Sequence, residues 1–256
     1  MNSEDNDNDN SRGRGTISPN KDLNPEKYAQ YNPKHVNLLK VMGKSFALGV
    51  FFTLNLFSLI YISYRDIHQY ESIVRLNVYF LFICIFHSLE FINTVLFNNS
   101  SVDDDSFILE DEDMNLVVVI SIIEYIIHSY ISTPKLTWII GIIITLFGQI
   151  MRSLAMYTAQ ESFNHYIQRK ESYRQQLVTK GIYGWIRHPS YCGFFWWFVG
   201  LQVFLGNWII LIGGIYKLWN FFDERIQFEE IYLIKFYKMS YVNYKDRVKS
   251  SGIPFI

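Results

Sequence analysis

Long apolar segments, separated by short polar stretches, fill most of the sequence after residue 45. A helix that crosses the bilayer core requires about 20 apolar residues, and four segments before residue 160 approach this length. After residue 190 the apolar block is too long for one span, and Gly206-Asn207 supplies a turn signal near its middle. The pattern therefore predicts an all-α integral membrane protein with about six transmembrane helices, the last two forming a C-terminal helical hairpin. The predicted spans are Phe46–Ser63, Val74–Phe97, Leu116–Ile131, Leu136–Ala155, Gly193–Leu205 and Trp208–Phe222.

Beyond the hairpin, the segment Asp223–Tyr241 keeps a helical period. Its positions Ile226, Glu229, Glu230 and Leu233 follow at i, i+3, i+4 and i+7, which is helical spacing. Arg225 and Glu229 are four residues apart, so their side chains are able to meet on such a helix.

Two of the predicted spans carry ionisable side chains on one face. His87 and Glu90 are spaced i and i+3 in the second span, and Glu124 and His128 are spaced i and i+4 in the third. Ionisable groups at membrane depth usually face protein or water and often mark function. For His87 and Glu90, a mutually hydrogen-bonded pair that orders the bundle is an equally good interpretation.

The N-terminal residues differ in composition from the apolar segments. Residues 1–40 are rich in Asn, Asp, Ser and Gly, so we expect a disordered polar tail ahead of a membrane domain at residues 41–256. The net charge of -1 gives no electrostatic basis for a nucleic-acid partner. Both cysteines lie in apolar surroundings without the spacing of a metal site, so we expect buried thiols and no bound metal.

Charge also predicts the orientation in the membrane. The polar stretch Thr158–Arg187 is rich in Lys and Arg, and basic residues near spans favour the cytosolic side. Six spans then place both termini in the cytosol, which agrees with the basic segment Lys235–Lys249.

The most distinctive stretch is Leu177–Tyr191, LVTKGIYGWIRHPSY, which stands directly before the hairpin. Its counterpart beyond the hairpin is Arg225–Glu230, RIQFEE. We interpret the two as walls of one polar site at a membrane face. Taken alone, each stretch has an ordinary explanation, the first as an interfacial turn and the second as a solvated helix face.

In this order and spacing, these elements resemble the isoprenylcysteine carboxyl methyltransferases. The resemblance runs almost continuously from Ala155 to Ile256 and includes RHPSYCGF, the downstream RxxxEE and the ending GIPFI. A lone RHPxY is weak support, whereas the combination is specific. The sequence departs from the pattern at Gln160 and Tyr237, where Gly is common, and in the unusually acidic loop Asp103–Asp113.

The resemblance implies that the protein methylates the C-terminal α-carboxylate of prenylated cysteine in proteins, with S-adenosylmethionine as the cofactor. The implied protein substrates are prenylated CaaX proteins after removal of their last three residues, and the implied location is the endoplasmic reticulum membrane, where the prenyl chain enters from lipid. The catalytic region would be residues 155–256, in which Arg225 would bind the substrate, and Arg225 and Glu229 would be catalytic. The implied cofactor-binding residues are Gln168, Gln175, Gln176, Leu177, Val178, Tyr183, His188, Pro189, Ser190, Tyr191 and Glu229.

The chemistry of this reaction fits the residues present. An α-carboxyl group has a pKa of about 3.5, so the attacking carboxylate is already ionised at neutral pH and requires no general base. Catalysis then depends on bringing the carboxylate and the sulfonium methyl group into line. The permanent cation of Arg225 matches a carboxylate through two parallel hydrogen bonds, and Glu229 would orient Arg225 or contact the cofactor.

Three other functions stay open on the sequence. Related C-terminal patterns occur in phospholipid N-methyltransferases and in sterol-type reductases, and a non-catalytic membrane scaffold would also retain the fold. A phospholipid N-methyltransferase requires a group that deprotonates an amine, for which the sequence offers no obvious candidate. A reductase requires a nicotinamide in place of a sulfonium.

The orientation yields a prediction for the loop after the second span. A glycosylation reporter inserted at the natural sequon of Asn99 is expected to stay unmodified, because this loop is predicted to face the cytosol. The same reporter inserted between the first two spans should acquire a glycan. An endoglycosidase-sensitive gel shift of the Asn99 reporter in microsomes would overturn the six-span orientation.

Overall fold

The structure is a computed structural model, and it describes residues 36–65, 69–99, 102–129, 135–169 and 175–256. These residues contain helices and connecting turns but no strand, which confirms the all-α prediction. Short 3₁₀ turns lie at Asp104–Phe107, Gln160–Ser162 and Gly181–Gly184. The α-helices are α1 (Leu38–Ser63), α2 (Glu71–Phe97), α3 (Glu112–His128), α4 (Lys135–Ala159), α5 (Pro189–Leu205), α6 (Trp208–Tyr237) and α7 (Met239–Arg247).

Three of the described helices are long and apolar enough to cross a membrane, namely α1, α2 and α4 with its 3₁₀ extension. Large apolar side chains on the outer surface of the bundle are exposed, as Phe46 (72%) and Ile209 (71%) illustrate. An apolar outer surface of this extent is typical of a protein in contact with lipid. The protein is therefore an integral membrane protein, while the number of six spans stays a prediction.

The predicted hairpin is confirmed. Helix α5 ends at Leu205, Gly206 adopts a left-handed conformation (φ +79°), and α6 begins at Trp208. Gly is favoured at such a position because it has no Cβ to clash. Helix α5 begins earlier than predicted, at Pro189, since proline fits the first turn of a helix, where no intrahelical N–H bond is required.

Other boundaries also differ from the sequence prediction. Helix α6 runs unbroken to Tyr237, so the helical period after Phe222 is the continuation of the second hairpin helix, which ends before Tyr241. No Gly or Pro occurs between residues 215 and 237, so nothing interrupts its hydrogen bonds. Helix α1 begins at Leu38, inside the predicted tail, most of which lies outside the described residues. The predicted end of the third span at Ile131 also lies outside them.

Helices α4 and α5 pack backbone against backbone in the centre of the molecule. A Cβ atom added to Gly193 would lie 2.5 Å from the backbone nitrogen of Arg152, and one added to Gly148 would lie 2.6 Å from the carbonyl oxygen of Gly193. Small residues allow this close approach, and dispersion contacts stabilise it where water is absent. Helix α5 is consequently buried on nearly every side, with a mostly apolar sequence all round.

The ionisable residues inside the predicted spans bind partners on other elements. His87 Nδ1 lies 2.7 Å from the carbonyl oxygen of Phe107, and Glu90 forms a buried ion pair with Arg152 of α4. The interpretation of His87 and Glu90 as a mutually hydrogen-bonded pair is therefore wrong. Glu124 accepts hydrogen bonds from the first N–H groups of α6, at Ile209 and Ile210, both at 2.9 Å.

The acidic loop after α2 is tied to α1. Lys44 of α1 lies 3.1 Å from Asp104 and 2.8 Å from Glu110. Asp103 caps the 3₁₀ turn by accepting a hydrogen bond from the Ser106 N–H at 3.0 Å. Much of the acidic charge in this loop therefore has a structural partner.

The close packing of α4 on α5 yields a prediction about stability. Gly148→Ala is expected to destabilise the protein by about 1–3 kcal/mol, because the added methyl group collides with rigid backbone. Gly213→Ala in α6 is the matched control, since no atom lies within 4 Å of its added Cβ. Thermal unfolding midpoints in detergent measure the difference, and equal midpoints for the two variants would contradict the packing argument.

Candidate active site

All of the cofactor-binding residues predicted from the sequence line one polar cavity of about 150 Å³ at the end of the bundle. The connection between α4 and α5 forms one wall, and the end of α6 with α7 forms the other. Aromatic side chains complete the lining at Tyr232, Phe236, Tyr241 and Tyr244. The structure thus brings together residues that are up to 61 positions apart, from Gln168 to Glu229.

A second cavity of about 710 Å³, called the apolar cavity after its hairpin wall, lies among α2, α3, α4, α5 and α6. Its other walls also carry charged side chains, including Asp111, Asp113 and Arg152. Apolar and aromatic side chains of the hairpin dominate one side of it: Phe194, Trp197, Phe198, Leu201, Leu218, Phe221 and Phe222. Arg225 lines this cavity, whereas Glu229 lines the polar one. Ser190 and Tyr191 line both, so the two cavities share a wall at the start of α5.

Tyr191 connects the two predicted catalytic residues. Its hydroxyl donates to Glu229 Oε2 at 2.6 Å and accepts a hydrogen bond from Arg225 Nε at 2.9 Å. Arg225 also donates to the carbonyl oxygen of His165 at 2.6 Å. The sequence spacing indicated that Arg225 and Glu229 are able to meet, but the phenol of Tyr191 lies between them in the structure. The three side chains form one hydrogen-bond chain across the shared wall.

The two neighbouring glutamates on α6 have different environments. Glu229 faces the polar cavity, whereas Glu230 is buried and accepts hydrogen bonds from Arg187 Nε at 2.9 Å and His188 Nε2 at 3.2 Å on one oxygen. Its other oxygen pairs with Lys245. Burial raises the pKa of Glu230, but the hydrogen bonds and charges of His188 and Lys245 outweigh burial and hold that pKa below its usual range. Glu230 is therefore ionised and fixes the loop before α5.

The C-terminal segment strengthens the same loop. Arg187 donates through Nη1 to the carbonyl oxygen of Val248 at 2.8 Å, and its backbone N–H donates to the carbonyl oxygen of Ser250 at 2.9 Å. The His188 N–H donates to the carbonyl oxygen of Ser251 at 3.3 Å. The distant end of the chain thus holds His188 in place on the cavity wall.

A buried ion pair stabilises the start of α5, which forms part of the site. Arg152, paired with Glu90, donates to the hydroxyl of Ser190 at 3.1 Å. His165 Nδ1 lies 3.7 Å from Glu90, and burial together with the charges of Arg152 and Arg225 lowers the pKa of His165 to about 4. His165 is therefore neutral near pH 7. The sequence showed these residues as ionisable groups at or near membrane depth, but it did not show that they converge on Ser190.

Two of the departures from the family pattern, Gln160 and Tyr237, fall at or beside strained backbone. Gln160 adopts φ +49°, a left-handed conformation that favours glycine. At the end of α6 the strained residue is Lys238 (φ +48°, ψ -128°), one position after Tyr237. Strain of this kind costs on the order of 1–3 kcal/mol and persists only where surrounding contacts hold the backbone.

An all-helical membrane protein in which a polar cavity meets an apolar cavity fits the class of membrane enzymes that join a polar reagent to a lipid-linked acceptor. Comparison with known proteins specifies the family. The sequence model described as the isoprenylcysteine carboxyl methyltransferase (ICMT) family matches residues 140–235. The chain belongs to this family.

Relatives and a solved structure support the assignment. The chain is 37% identical over 191 residues to the protein-S-isoprenylcysteine O-methyltransferase of Saccharomyces cerevisiae, covering 70% of this chain and 80% of that protein. The enzyme of the same name from Dictyostelium discoideum is 42% identical, with 73% and 80% covered. The Xenopus laevis protein is 42% identical over 67% of this chain, which spans 61% of the length of that relative.

The fold is similar to that of a solved relative. The structure of the eukaryotic intramembrane Ras methyltransferase ICMT without a monobody superposes with a TM-score of 0.74 at 32% identity. The superposition covers 82% of this chain and 74% of that chain. The likeness extends over most of the membrane domain and includes helices upstream of residue 140, where the match to the family model begins.

The environment of Glu230 yields a prediction. Glu230→Gln is expected to destabilise the protein by on the order of 3 kcal/mol, because Arg187 and Lys245 lose the buried anion that they contact. Asp246→Asn is the matched control, since its ion pair with Lys249 is largely exposed (71% and 76%) and contributes little. Chemical unfolding in detergent measures both variants.

The pH dependence provides an independent check on this prediction. The pKa of Glu230 is depressed in the folded state, so its contribution to stability is present above the unfolded pKa of about 4.3 and is lost as the pH falls further. The wild-type protein should lose more stability than Glu230→Gln on acidification through this range. A parallel loss in both proteins would show that Glu230 is not the ionised centre of the loop.

Proposed function

We propose that this protein transfers a methyl group from S-adenosylmethionine to the C-terminal α-carboxylate of prenylated cysteine in proteins. The observation that carries the proposal is the hydrogen-bond chain from Glu229 through Tyr191 to Arg225, which joins two cavities. One cavity offers Glu229 and several carboxamides, and the other offers a larger volume with an aromatic hairpin wall and Arg225 near Tyr191. A reaction between a water-soluble methyl donor and a lipid-linked carboxylate requires this combination.

The polar cavity fits S-adenosylmethionine by the chemistry of its lining. The carboxamides of Gln168 and Gln175 offer donors and acceptors, and the carboxylate of Glu229 suits a hydroxyl or ammonium group. The rings of Tyr183 and Tyr232 provide faces for a planar base or a cationic sulfonium. S-adenosylmethionine, when bound, supplies an electrophilic methyl group on a positively charged sulfur. The remaining predicted contacts, from Gln176 to Tyr191, lie on the same wall.

The apolar cavity fits a prenyl chain. Its hairpin wall is formed by α5, from Tyr191 to Leu201, and by the antiparallel helix α6. The ten residues from Tyr191 to Leu201 rise by about 15 Å at 1.5 Å per residue, so the apolar wall extends about this far from the shared wall. A chain buried there gains roughly 25 cal/mol for each Å² of apolar surface removed from water. Arg225 lies at the end of this cavity next to the shared wall, where it contacts the carboxylate of the prenylated cysteine.

The residues of the shared wall account for the reaction without a proton-transfer group. Arg225 binds the carboxylate and is itself oriented by the Tyr191 hydroxyl and the His165 carbonyl oxygen. One carboxylate oxygen attacks the methyl carbon as the carbon–sulfur bond breaks, which yields a methyl ester and S-adenosylhomocysteine. No proton is gained or lost in this step. The rings of Phe221 and Phe222 beside Arg225 and Tyr191 exclude water, which strengthens the charge interactions.

The charge of Arg225 argues against the phospholipid alternative. An amine acceptor is cationic at neutral pH and would be repelled by a guanidinium at the end of the apolar cavity. His165, whose carbonyl oxygen accepts a hydrogen bond from Arg225, is neutral, and its ring nitrogens lie beside Glu90 and Thr94. An anionic acceptor is therefore favoured over an amine, a sterol or a purely structural role.

The finer assignments follow from the family and the sequence. We infer that the protein substrates are prenylated CaaX proteins that have lost their last three residues, because only then is the prenylcysteine carboxylate free. We place the protein in the endoplasmic reticulum membrane with both termini in the cytosol. Membrane lipid is then the medium from which the prenyl chain enters.

The test is transfer of labelled methyl from S-adenosylmethionine to N-acetyl-S-farnesylcysteine in membranes that contain this protein. N-acetylcysteine without the prenyl group is the matched control. Base-labile label on the farnesylated compound alone is the expected result. Label on a phospholipid instead would assign a different acceptor, and the absence of both transfer and cofactor binding would refute the proposal.

Arg225 and Glu229 are expected to bind different substrates: Arg225 binds the prenylated acceptor, and Glu229 binds S-adenosylmethionine. Arg225→Gln and Glu229→Gln are both expected to lower turnover at least 100-fold while leaving membrane insertion intact, since a charge-assisted hydrogen bond in a transition state contributes on the order of 3 kcal/mol. The residual activity of Arg225→Gln should show a raised KM for N-acetyl-S-farnesylcysteine, and that of Glu229→Gln a raised KM for S-adenosylmethionine. Arg247→Gln, an exposed change on α7, is the control. Wild-type rates in either site variant would exclude that residue from the site.

A further inference from the structure

The ring of Phe198, on α5, lies directly against the backbone of α6 at Gly214. A Cβ atom added to Gly214 would lie 2.6 Å from Cε1 of Phe198 and closer still to Cζ. A side chain at position 214 and the present position of the ring therefore exclude each other. Both residues line the apolar cavity, so the absence of a side chain at Gly214 affects the shape of that cavity.

The neighbouring glycine has no such contact. A Cβ atom added to Gly213 would meet no atom within 4 Å, and Gly213 lies on the exposed side of α6. Of this pair, Gly214 is the one whose size matters to the cavity.

The apolar cavity continues beyond Phe198. Gln202, the residue of α5 furthest from the shared wall that still lines the cavity, is 1% exposed. Its Oε1 accepts hydrogen bonds from Ser121 and Asn207, both at 3.1 Å, and these bonds fix the far end of the cavity. Gln202 lies four residues after Phe198, which is about 6 Å along α5.

These distances correspond to isoprene units. The seven residues from Tyr191, on the shared wall, to Phe198 rise by about 10 Å. An extended chain advances by roughly 1.2 Å per bond, so an isoprene unit with its four main-chain bonds adds about 5 Å. Two units that start at the shared wall therefore end near Phe198. A third unit fits in the turn of α5 between Phe198 and Gln202.

We propose that Gly214 determines the prenyl-chain length that the protein accepts, because it keeps the ring of Phe198 out of the path of the third isoprene unit. The inference rests on the proposed function, in which the prenyl chain occupies the apolar cavity. A side chain at position 214 would displace the ring from α6 into the cavity that both residues line. A geranyl chain of two units would still fit, whereas a farnesyl chain of three units would lose the far end of the cavity.

Methyl transfer to N-acetyl-S-geranylcysteine and to N-acetyl-S-farnesylcysteine tests the inference. Gly214→Ala is expected to lower the ratio of kcat/KM for the farnesyl compound to that for the geranyl compound about tenfold, since an apolar pocket that is one methylene too small discriminates by about this factor or more. Gly213→Ala is the matched control, with the same substitution one position away, and should leave the ratio unchanged. The KM for S-adenosylmethionine should stay the same in both variants.

A second substitution separates the steric effect from a general loss of structure. Phe198→Leu removes the ring atoms that a methyl group at position 214 would meet. The double variant Gly214→Ala/Phe198→Leu should therefore regain the farnesyl preference of the wild type. Calorimetry with S-adenosylhomocysteine shows whether the polar cavity is intact, and its dissociation constant should be unchanged in all of these variants.

The possible failures are distinguishable. An unchanged ratio in Gly214→Ala, an equal loss of activity on both chain lengths, or no recovery in the double variant would overturn the inference and leave the proposed function intact. Loss of S-adenosylhomocysteine binding in Gly214→Ala would show a general structural role and would also overturn the inference. A wild-type protein that methylates neither compound would overturn the proposed function as well.

Discussion

The contact between the backbones of α4 and α5 is the constraint on which the site depends. Because Gly148 and Gly193 carry no side chain, the two helices approach closely enough for Arg152 to reach the hydroxyl of Ser190 in the first turn of α5. Two residues before Ser190, His188 is tied to Glu230 on α6. The part of the shared wall formed by Ser190 and Tyr191 thus stands on a fixed helix start, while residues 163–167 form the rest.

Around this wall, charges are arranged in pairs whose partners come from distant parts of the chain. Arg152 binds Glu90 of α2, and Arg187 binds Glu230 of α6. A buried charge without a partner is costly, and each of these pairs also fixes a neighbouring loop or helix start. Arg225 is oriented by the Tyr191 hydroxyl and the His165 carbonyl oxygen and lines the apolar cavity. Its planar guanidinium matches the geometry of a carboxylate that arrives with the substrate.

Local patterns in the sequence predicted much of this arrangement, and long-range contacts determined the rest. The hairpin followed from Gly206-Asn207, and the members of the polar cavity followed from the family motif. The spacing of Arg225 and Glu229 indicated a shared helix face, but it contained no information that Tyr191, from another helix, lies between them. The partners of Glu90 and Glu230 were equally inaccessible, because a pairing between distant helices leaves no periodic trace in the sequence.

The central claim is that donor and acceptor occupy different cavities and meet at Tyr191. A structure with both S-adenosylhomocysteine and N-acetyl-S-farnesylcysteine bound tests it most directly. The account predicts the adenosyl group in the polar cavity beside Glu229, the farnesyl chain in the apolar cavity, and the cysteine carboxylate on Arg225 facing the sulfur across the shared wall. A carboxylate held away from Arg225, or both ligands in one cavity, would contradict it.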